Sequence, residues 1–311
     1  LGETQICGQP QTIVVFGLHN LGLLLSLDAQ PTGFAMDADP IAGADFDNPP
    51  EQIPYLGDRL TTQPENLGVA AQPSLEKLTA IAPDLIVGVD YSADTYSLLS
   101  QIAPTVLTGD PEIKDQWQTN LQAVAQALDK EEQATTLIAQ HAAKIAATRT
   151  ALADAVSTYP QLLVIGASDL SRGFFAIGGD SYLGGILEAI GFELVHPPAA
   201  TGQIGAPISL EALPDLDEAD SIILLGYSRD LQTLTAAIQT KSANQSVEER
   251  LETQQLQDIR AKWQENPITQ SLTTSQEDRV YFATYARWSL LNNPLGIDLI
   301  LEQLQQFFAN D

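Results

Sequence analysis

The chain has 311 residues, with 40 acidic against 14 basic side chains and a formal net charge of −26. That balance excludes general affinity for nucleic acid or an anionic membrane surface, since both depend on excess Lys and Arg. A hydrophobic fraction of 44 % and a mean hydropathy of −0.02 are those of a folded chain, not of an acidic disordered one. The length favours two lobes over one core. A single cysteine, Cys7, excludes a disulfide framework, a Cys-ligated structural zinc and a Cys-held iron–sulfur cluster within one chain.

In chain order, Cys7 reads as a half-buried thiol at the start of a strand. The apolar stretch Ile13 to Leu27 is broken by His19 and Asn20. It is too short to span a bilayer and lacks the basic flank of a signal peptide. Any export signal or lipid-anchored Cys is therefore expected upstream of Leu1. Strands are expected at Thr12–Phe16, Asp84–Val89, Pro104–Leu107, Gln161–Gly166, Ser221–Gly226 and Arg279–Ala283. Most are continuous Val, Ile and Leu runs, as strands covered on both faces are. Helices are expected to follow several of them, at Ser181–Ile190 and Pro294–Phe308 for example. This alternation predicts an α/β protein with mainly parallel sheets.

The middle of the chain differs. After Pro111 there is neither Pro nor Gly up to Val156. Ile138, Ala142, Ile145, Leu152 and Val156 recur at helical spacing and predict one apolar stripe. Glu131–Ser157 reads as a helix of about 40 Å joining two lobes, with Pro160 stopping it. The expected division is an N-terminal α/β lobe over 1–129, a connecting helix over 130–157 and a C-terminal α/β lobe over 158–311. An internal repeat supports two related lobes. Ser74-Leu-Glu-Lys-Leu leads to Pro83-Asp-Leu-Ile-Val-Gly, and Ser209-Leu-Glu-Ala-Leu leads to Ala219-Asp-Ser-Ile-Ile-Leu-Leu-Gly. Glu76 and Glu211 hold equivalent places in the two copies.

Enzyme signatures are absent: there is no phosphate-binding Gly-x-x-x-x-Gly-Lys, no Gly-x-Ser-x-Gly and no His-Glu-x-x-His. Gly178-Gly179-Asp180-Ser181 reads as a turn capping a helix. His141 is structural or solvated, His196 lies in a loop, and His19 follows the first strand, where it could neighbour a ligand.

The six Lys (Lys77, Lys114, Lys130, Lys144, Lys241 and Lys262) are expected on solvated helices. Four Arg stand just past apolar runs: Arg59 after Ile53–Gly57, Arg172 after Gln161–Gly166, Arg229 after Ser221–Gly226 and Arg287 after Val280–Tyr285. At strand carboxyl ends they would gather around an anion, which the planar guanidinium grips with two bonds. Pairing with Asp58, Asp169 or Asp230 is the alternative. Tyr91, Tyr227, Tyr285 and Trp288 accompany them, giving stacking area beside charge. Trp288 as core filler stays open.

Together, Leu1-Gly-Glu-Thr-Gln-Ile, Pro10-Gln-Thr-Ile-Val-Val-Phe, Tyr55-Leu-Gly-Asp-Arg, the Pro73 and Pro83 segments, Arg279-Val-Tyr-Phe and Asn293-Pro-Leu-Gly-Ile-Asp resemble a known family. It is that of bacterial iron–siderophore substrate-binding proteins of ABC importers, the ferric-citrate, ferric-hydroxamate and cobalamin group. The resemblance implies two α/β lobes bridged by one long helix and a shallow cleft between them. It implies export with lipid anchoring in many members, and a monomer is expected. It further implies that Glu76 and Glu211 dock on a dimeric permease. Its ligand arginines do not carry over: the segment Val89-Asp-Tyr-Ser-Ala-Asp and the Ala70-Ala71-Gln72 stretch lack one. The expectation is an anionic ferric siderophore held in the interlobe cleft, with iron carried by the siderophore and no cofactor of the protein's own. Haem or cobalamin is the alternative within the fold, favoured if His19 is an axial contact. An α/β enzyme or a metal-cofactor chaperone is the alternative from another class. No role is assigned to Ala243–Asn266.

Overall fold

The computed structural model describes residues 4–36, 47–89, 93–227 and 245–308, without the side chains of 93, 94, 254 and 258. The chain divides into two compact units. One comprises 1–111, 116–138 and 230–251; the other comprises 112–115, 139–229 and 252–311.

The sheet of the first unit has the order β4-β3-β2-β1-β5-β6. β1 (Ile13–Phe16), β2 (Gly33–Met36), β3 (Glu65–Val69), β5 (Leu85–Val89) and β6 (Thr105–Thr108) are parallel neighbours, and β4 (Gln72–Pro73) closes the edge antiparallel to β3. Every residue of β1, β2 and β5 is buried, as their uninterrupted apolar sequences require. One face packs Val14, Phe16, Leu67, Ile86 and Leu99 into a core with Leu78 of helix Leu75–Ile81. The apolar stretch from Ile13 is thus a strand followed by the buried helix Leu18–Ser26, turned at Gly17 with φ +85°.

The second unit has the order β10-β8-β7-β11-β12, with β9 (Glu193–Leu194) paired to the start of β7. β7 (Gln161–Ala167), β11 (Ser221–Gly226) and β12 (Val280–Thr284) are parallel; β8 (Phe174–Ile177) runs against both β7 and β10 (Gly205–Ile208). Ile165, Phe174, Ile222 and Leu224 meet Ile259 and Trp263 of helix Val247–Glu265 in its core. Trp263 meets Phe174 and Phe282 edge-on at 6.2 and 6.5 Å, so the stretch left without a role in the sequence covers a sheet face.

The six expected strands form within one or two residues of their expected ends. β2, β3 and β10 escape sequence reading because they are short and carry Gly, Pro or polar residues, and β8 because it is only four residues long. The expected long helix is Glu131–Ala151 followed by Ala153–Thr158, interrupted at Leu152. The Leu152 amide still donates to Thr148 O at 2.9 Å, so the hydrogen-bond ladder passes through the break. Its buried side runs through Ala134, His141, Thr148, Leu152 and Ala155, while Ala142 of the expected stripe is exposed. Lys114 lies in a turn, Lys130 in the link just before helix Glu131–Ala151, and Lys241 lies outside the described residues. Cys7 is exposed and not half-buried, because the first strand begins only at Ile13.

Candidate functional site

In open parallel sheets the groups that meet ligands stand at the strands' carboxyl ends. In the first unit this edge rests on a buried polar lattice. Asn20 donates to Phe16 O at 3.0 Å and accepts from Thr108 Oγ1 at 3.0 Å; Thr108 Oγ1 is also 3.1 Å from Gly88 O. Asn120 of helix Gln116–Ala127 binds both the amide and the carbonyl of Gly109 at 2.9 Å. Its Nδ2 also lies 3.1 Å from His19 Nε2. His19 is only 4 % exposed, so its ring braces the start of its helix from inside the unit. The carboxyl end of the sheet is thereby fixed by amides and hydroxyls instead of charges.

Arg59 does not stand at this edge. The run before it, Ile53–Gly57, is no strand but a turn leading into the short 3₁₀ segment Gly57–Arg59. Gln30 holds that segment, donating to Arg59 O at 3.0 Å and accepting from the Thr61 amide at 2.9 Å. Gln30 precedes β2, so Arg59 sits by the sheet's amino end. Tyr91 and Arg229 lie outside the described residues.

In the second unit the carboxyl edge carries Arg172, Tyr227 and Tyr285. Arg172 closes the 3₁₀ segment Leu170–Arg172 after β7 and is exposed. The nearby acid that could have neutralised it, Asp169, is instead 2.7 Å from Lys262 and accepts from the Ser171 hydroxyl and amide. Those partners, Lys262 foremost, hold the Asp169 carboxyl well below the usual carboxylate range. Among the described residues Arg172 makes no ion pair. The Tyr227 and Tyr285 rings lie 5.8 Å apart at 57°, and Tyr285 donates to Glu112 at 3.2 Å.

Phe175, 40 % exposed on β8, is an aromatic that sequence reasoning missed. It pairs with Gly166, and a Cβ on Gly166 would lie 3.9 Å from Tyr227 Cε1. The Tyr227 ring therefore borders the spot that Gly166 leaves open, while the Phe175 ring lies over Gly205 of β10, where a Cβ would collide with it. The signal was the Phe-Phe pair, in which strand alternation buries one ring and exposes the next.

Arg287 and Trp288 are taken up inside the unit. Arg287 donates to Leu299 O at 3.2 Å and pairs with Glu252 at 3.3 Å and Glu302 at 3.2 Å. Pairing with acids, the alternative reading for these arginines, describes it. Trp288 is 1 % exposed, donates to Gln303 at 2.6 Å and stacks near Phe307. It is core filler: both residues belong to helix Tyr285–Ser289, whose far side packs on helix Gly296–Phe308.

The paired Ser-Leu-Glu segments fall at corresponding edges. β3 ends where β4 turns back, and Ser74 then caps helix Leu75–Ile81 through its Oγ, with Glu76 exposed in the first turn. β10 ends at Ile208, and Ser209 leads into the 3₁₀ segment Leu210–Leu216, with Glu211 exposed in its first turn. Pro214 lacks an amide and keeps this copy from closing into an α-helix. Glu211 also lines a hollow of about 340 Å³ with Arg172, Gly173, Pro207, Ser209 and Leu210. Ser181, as expected, caps its helix by accepting the Gly184 amide at 2.9 Å.

No group of His, Cys, Asp and Glu among the described residues is placed to hold a metal ion. No helix among them is long and apolar enough to cross a membrane.

Two α/β units, each with an exposed Glu in a Ser-Leu-Glu segment that follows an edge strand of its sheet, define a two-lobed binding protein. The chain matches the periplasmic binding protein family over residues 13–284 and belongs to it. It is 22 % identical to the putative ABC transporter substrate-binding lipoprotein YhfQ of Bacillus subtilis, over 98 % of this chain and 86 % of that one. It is 24 % identical to the Fe(3+) dicitrate-binding periplasmic protein FecB of Escherichia coli, over 96 % of this chain and 85 % of that one. Among solved structures, a periplasmic solute binding protein of Mycobacterium smegmatis superposes with a TM-score of 0.73 at 25 % identity, covering 99 % of this chain and 95 % of that one. Staphylococcus aureus SirA complexed with staphyloferrin B gives 0.72 at 20 % identity, covering 98 % and 95 %.

Proposed function

We propose that the chain is an extracytoplasmic binding protein that captures a ferric siderophore at the carboxyl edges of its sheets and hands it to an ABC permease for iron uptake. It performs no chemistry on the ligand, and the siderophore, not the protein, coordinates the iron. The observation that carries this reading is similarity along nearly the whole chain to FecB, a protein named for ferric dicitrate. In this reading Arg172, Tyr227, Tyr285 and Phe175 are the described side chains that meet the ligand, supported by the position of the first three after strand carboxyl ends and the exposure of Phe175. Arg229 and Tyr91 are further candidates from the sequence. Delivery runs through Glu76 and Glu211, exposed carboxylates that a permease can meet with arginines. A native lipid anchor upstream of Leu1 and a monomeric state complete the reading.

The haem alternative rested on His19, and its burial against Asn120 removes that support. The enzyme or chaperone alternative has neither a catalytic motif nor more than one cysteine behind it.

The test mixes the purified chain with ferric dicitrate, a ferric tris-catecholate and a ferric trishydroxamate, each separately, and follows iron through gel filtration. Co-elution of iron with at least one complex is expected. Iron that never travels with the protein overturns the reading.

A further inference from the structure

Asp169 and Arg172 close one tight turn of the second unit, the Arg172 amide donating to Asp169 O at 3.1 Å. In a 3₁₀ turn, side chains three residues apart stand over one another, so this carboxylate lies within easy reach of the guanidinium. Yet both of its oxygens are engaged elsewhere. Oδ1 accepts the Ser171 amide and hydroxyl at 2.8 and 2.6 Å, and Oδ2 lies 2.7 Å from Lys262 Nζ. Glu211, which lines the same hollow as Arg172, does not pair with it either. Gly173, with φ +80°, turns the chain directly after Arg172 against Ile208 O. The backbone of Arg172 is thus fixed on both sides while its charge stays open.

The core places Lys262. Ile259 and Trp263, its neighbours on helix Val247–Glu265, are buried against the second unit's sheet, and Trp263 Nε1 donates to Ser275 Oγ at 3.1 Å. The ammonium therefore leaves a fixed helix to reach a turn 93 residues earlier in the chain.

An ion pair whose side chains are 47 % and 33 % exposed contributes little to folding. Its consequence lies in the partner that the carboxylate takes. Lys262 first, then Ser171, hold the Asp169 carboxyl well below the usual carboxylate range, so it stays anionic at any working pH. With the ammonium gone, that anion would take the guanidinium of its own turn. We infer that Lys262 is a positioning residue of the ligand site: by occupying Asp169 it keeps Arg172 open for an oxygen of the ferric ligand. This rests on the ferric-siderophore reading, and it concerns a residue that touches no ligand itself.

The test titrates the full chain calorimetrically with ferric dicitrate, a ferric tris-catecholate and a ferric trishydroxamate, and carries the tightest-binding complex into the variants. Lys262→Met is expected to weaken it about tenfold, the scale of one charged hydrogen bond, with the urea midpoint unchanged. Lys262→Arg keeps the pair and should bind as wild type. Adding Asp169→Asn to Lys262→Met should restore affinity to within about threefold of wild type, since Asn still caps the turn and no rival carboxylate remains. Adding Glu265→Gln to Lys262→Met restores the net charge but leaves Asp169 unpaired, so that variant should stay weak. Unchanged affinity in Lys262→Met, a loss that Asp169→Asn does not reverse, or equal rescue by Glu265→Gln overturns the inference and leaves the capture function standing. A wild-type chain that binds none of the three complexes overturns both.

Discussion

Asp84 and Asp220 perform one task in the two units. Asp84 precedes β5, its amide donates to Thr12 O at 2.8 Å, and its carboxylate accepts the Gln11 and Thr12 amides at 2.8 and 2.9 Å. Asp220 precedes β11, its amide donates to Gln161 O at 2.8 Å, and its carboxylate accepts the Gln161 amide at 2.9 Å. Each fastens the start of one central strand to the start of its parallel neighbour. The repeat seen as Ser-Leu-Glu followed by Asp thus extends to a shared hydrogen-bond pattern, which sequence similarity alone does not require.

The backbone amides that bind Asp84 lower its pKa, Gln11 contributing most. A carboxylate with a depressed folded pKa stabilises above the unfolded value of about 3.9, and that contribution is lost as pH falls through the folded value. Asp84→Asn is therefore expected to melt below wild type at neutral pH, with the gap closing below about pH 4. Thermal melts across that range check it, and a gap independent of pH would count against the carboxylate's role.

His141 gives a second, higher window. It is 6 % exposed, 3.5 Å from the Tyr182 hydroxyl, and its pKa is lowered to about 4 by burial first and the Lys144 charge second. The unfolded chain takes up this proton near the ordinary value of about 6.5, so stability falls as pH drops from there to the folded value. About 3 kcal/mol is at stake, at roughly 1.4 kcal/mol for each unit. His141→Gln should flatten the urea stability profile in that window while leaving the lower Asp84 window in place.

Arg287→Ala removes two ion pairs and the bond to Leu299 O from a largely buried guanidinium. A loss of about 2 kcal/mol in unfolding free energy is expected, with little change in ferric-ligand affinity of the folded protein. Denaturant titration and ligand calorimetry on the same variant separate the two. A large affinity loss at unchanged stability would return Arg287 to the ligand.

Gly173 carries φ +80°, and a Cβ there would sit 2.5 Å from Ile208 O. Gly173→Ala forces β8 and β10 apart beside Arg172 and should cost about 2 kcal/mol or more. A fully stable Ala variant would show that this turn tolerates a side chain.

Docking is testable apart from capture. Glu76→Ala with Glu211→Ala should abolish iron uptake through the cognate permease while the purified double variant still binds the ferric ligand by calorimetry. Normal uptake by the double variant would remove both residues from delivery.

Continuous apolar runs make β1, β5, β7 and β11 legible in the sequence, because a strand covered on both faces writes its burial directly into composition. The Ser-Leu-Glu repeat and its Asp are legible for a similar reason: capping and strand-start hydrogen bonds act over a few residues. β3 is not, since it reads Glu-Asn-Leu-Gly-Val and is held by its neighbours β2 and β4 rather than by an apolar pattern of its own.

The charge deficit is also in the sequence, down to the long stretches without Lys or Arg. What only the tertiary structure decided is where the few cations are spent. Arg287 and Lys262 are drawn to Glu252, Glu302 and Asp169, acids distant in the chain, and Arg59 lies at the amino end of its sheet. Ion pairing is set by distance in space, and no spacing along the chain encodes it. Sequence alone therefore pointed to a two-lobed acidic binding protein, and folding decided which of its described cations are paired with acids.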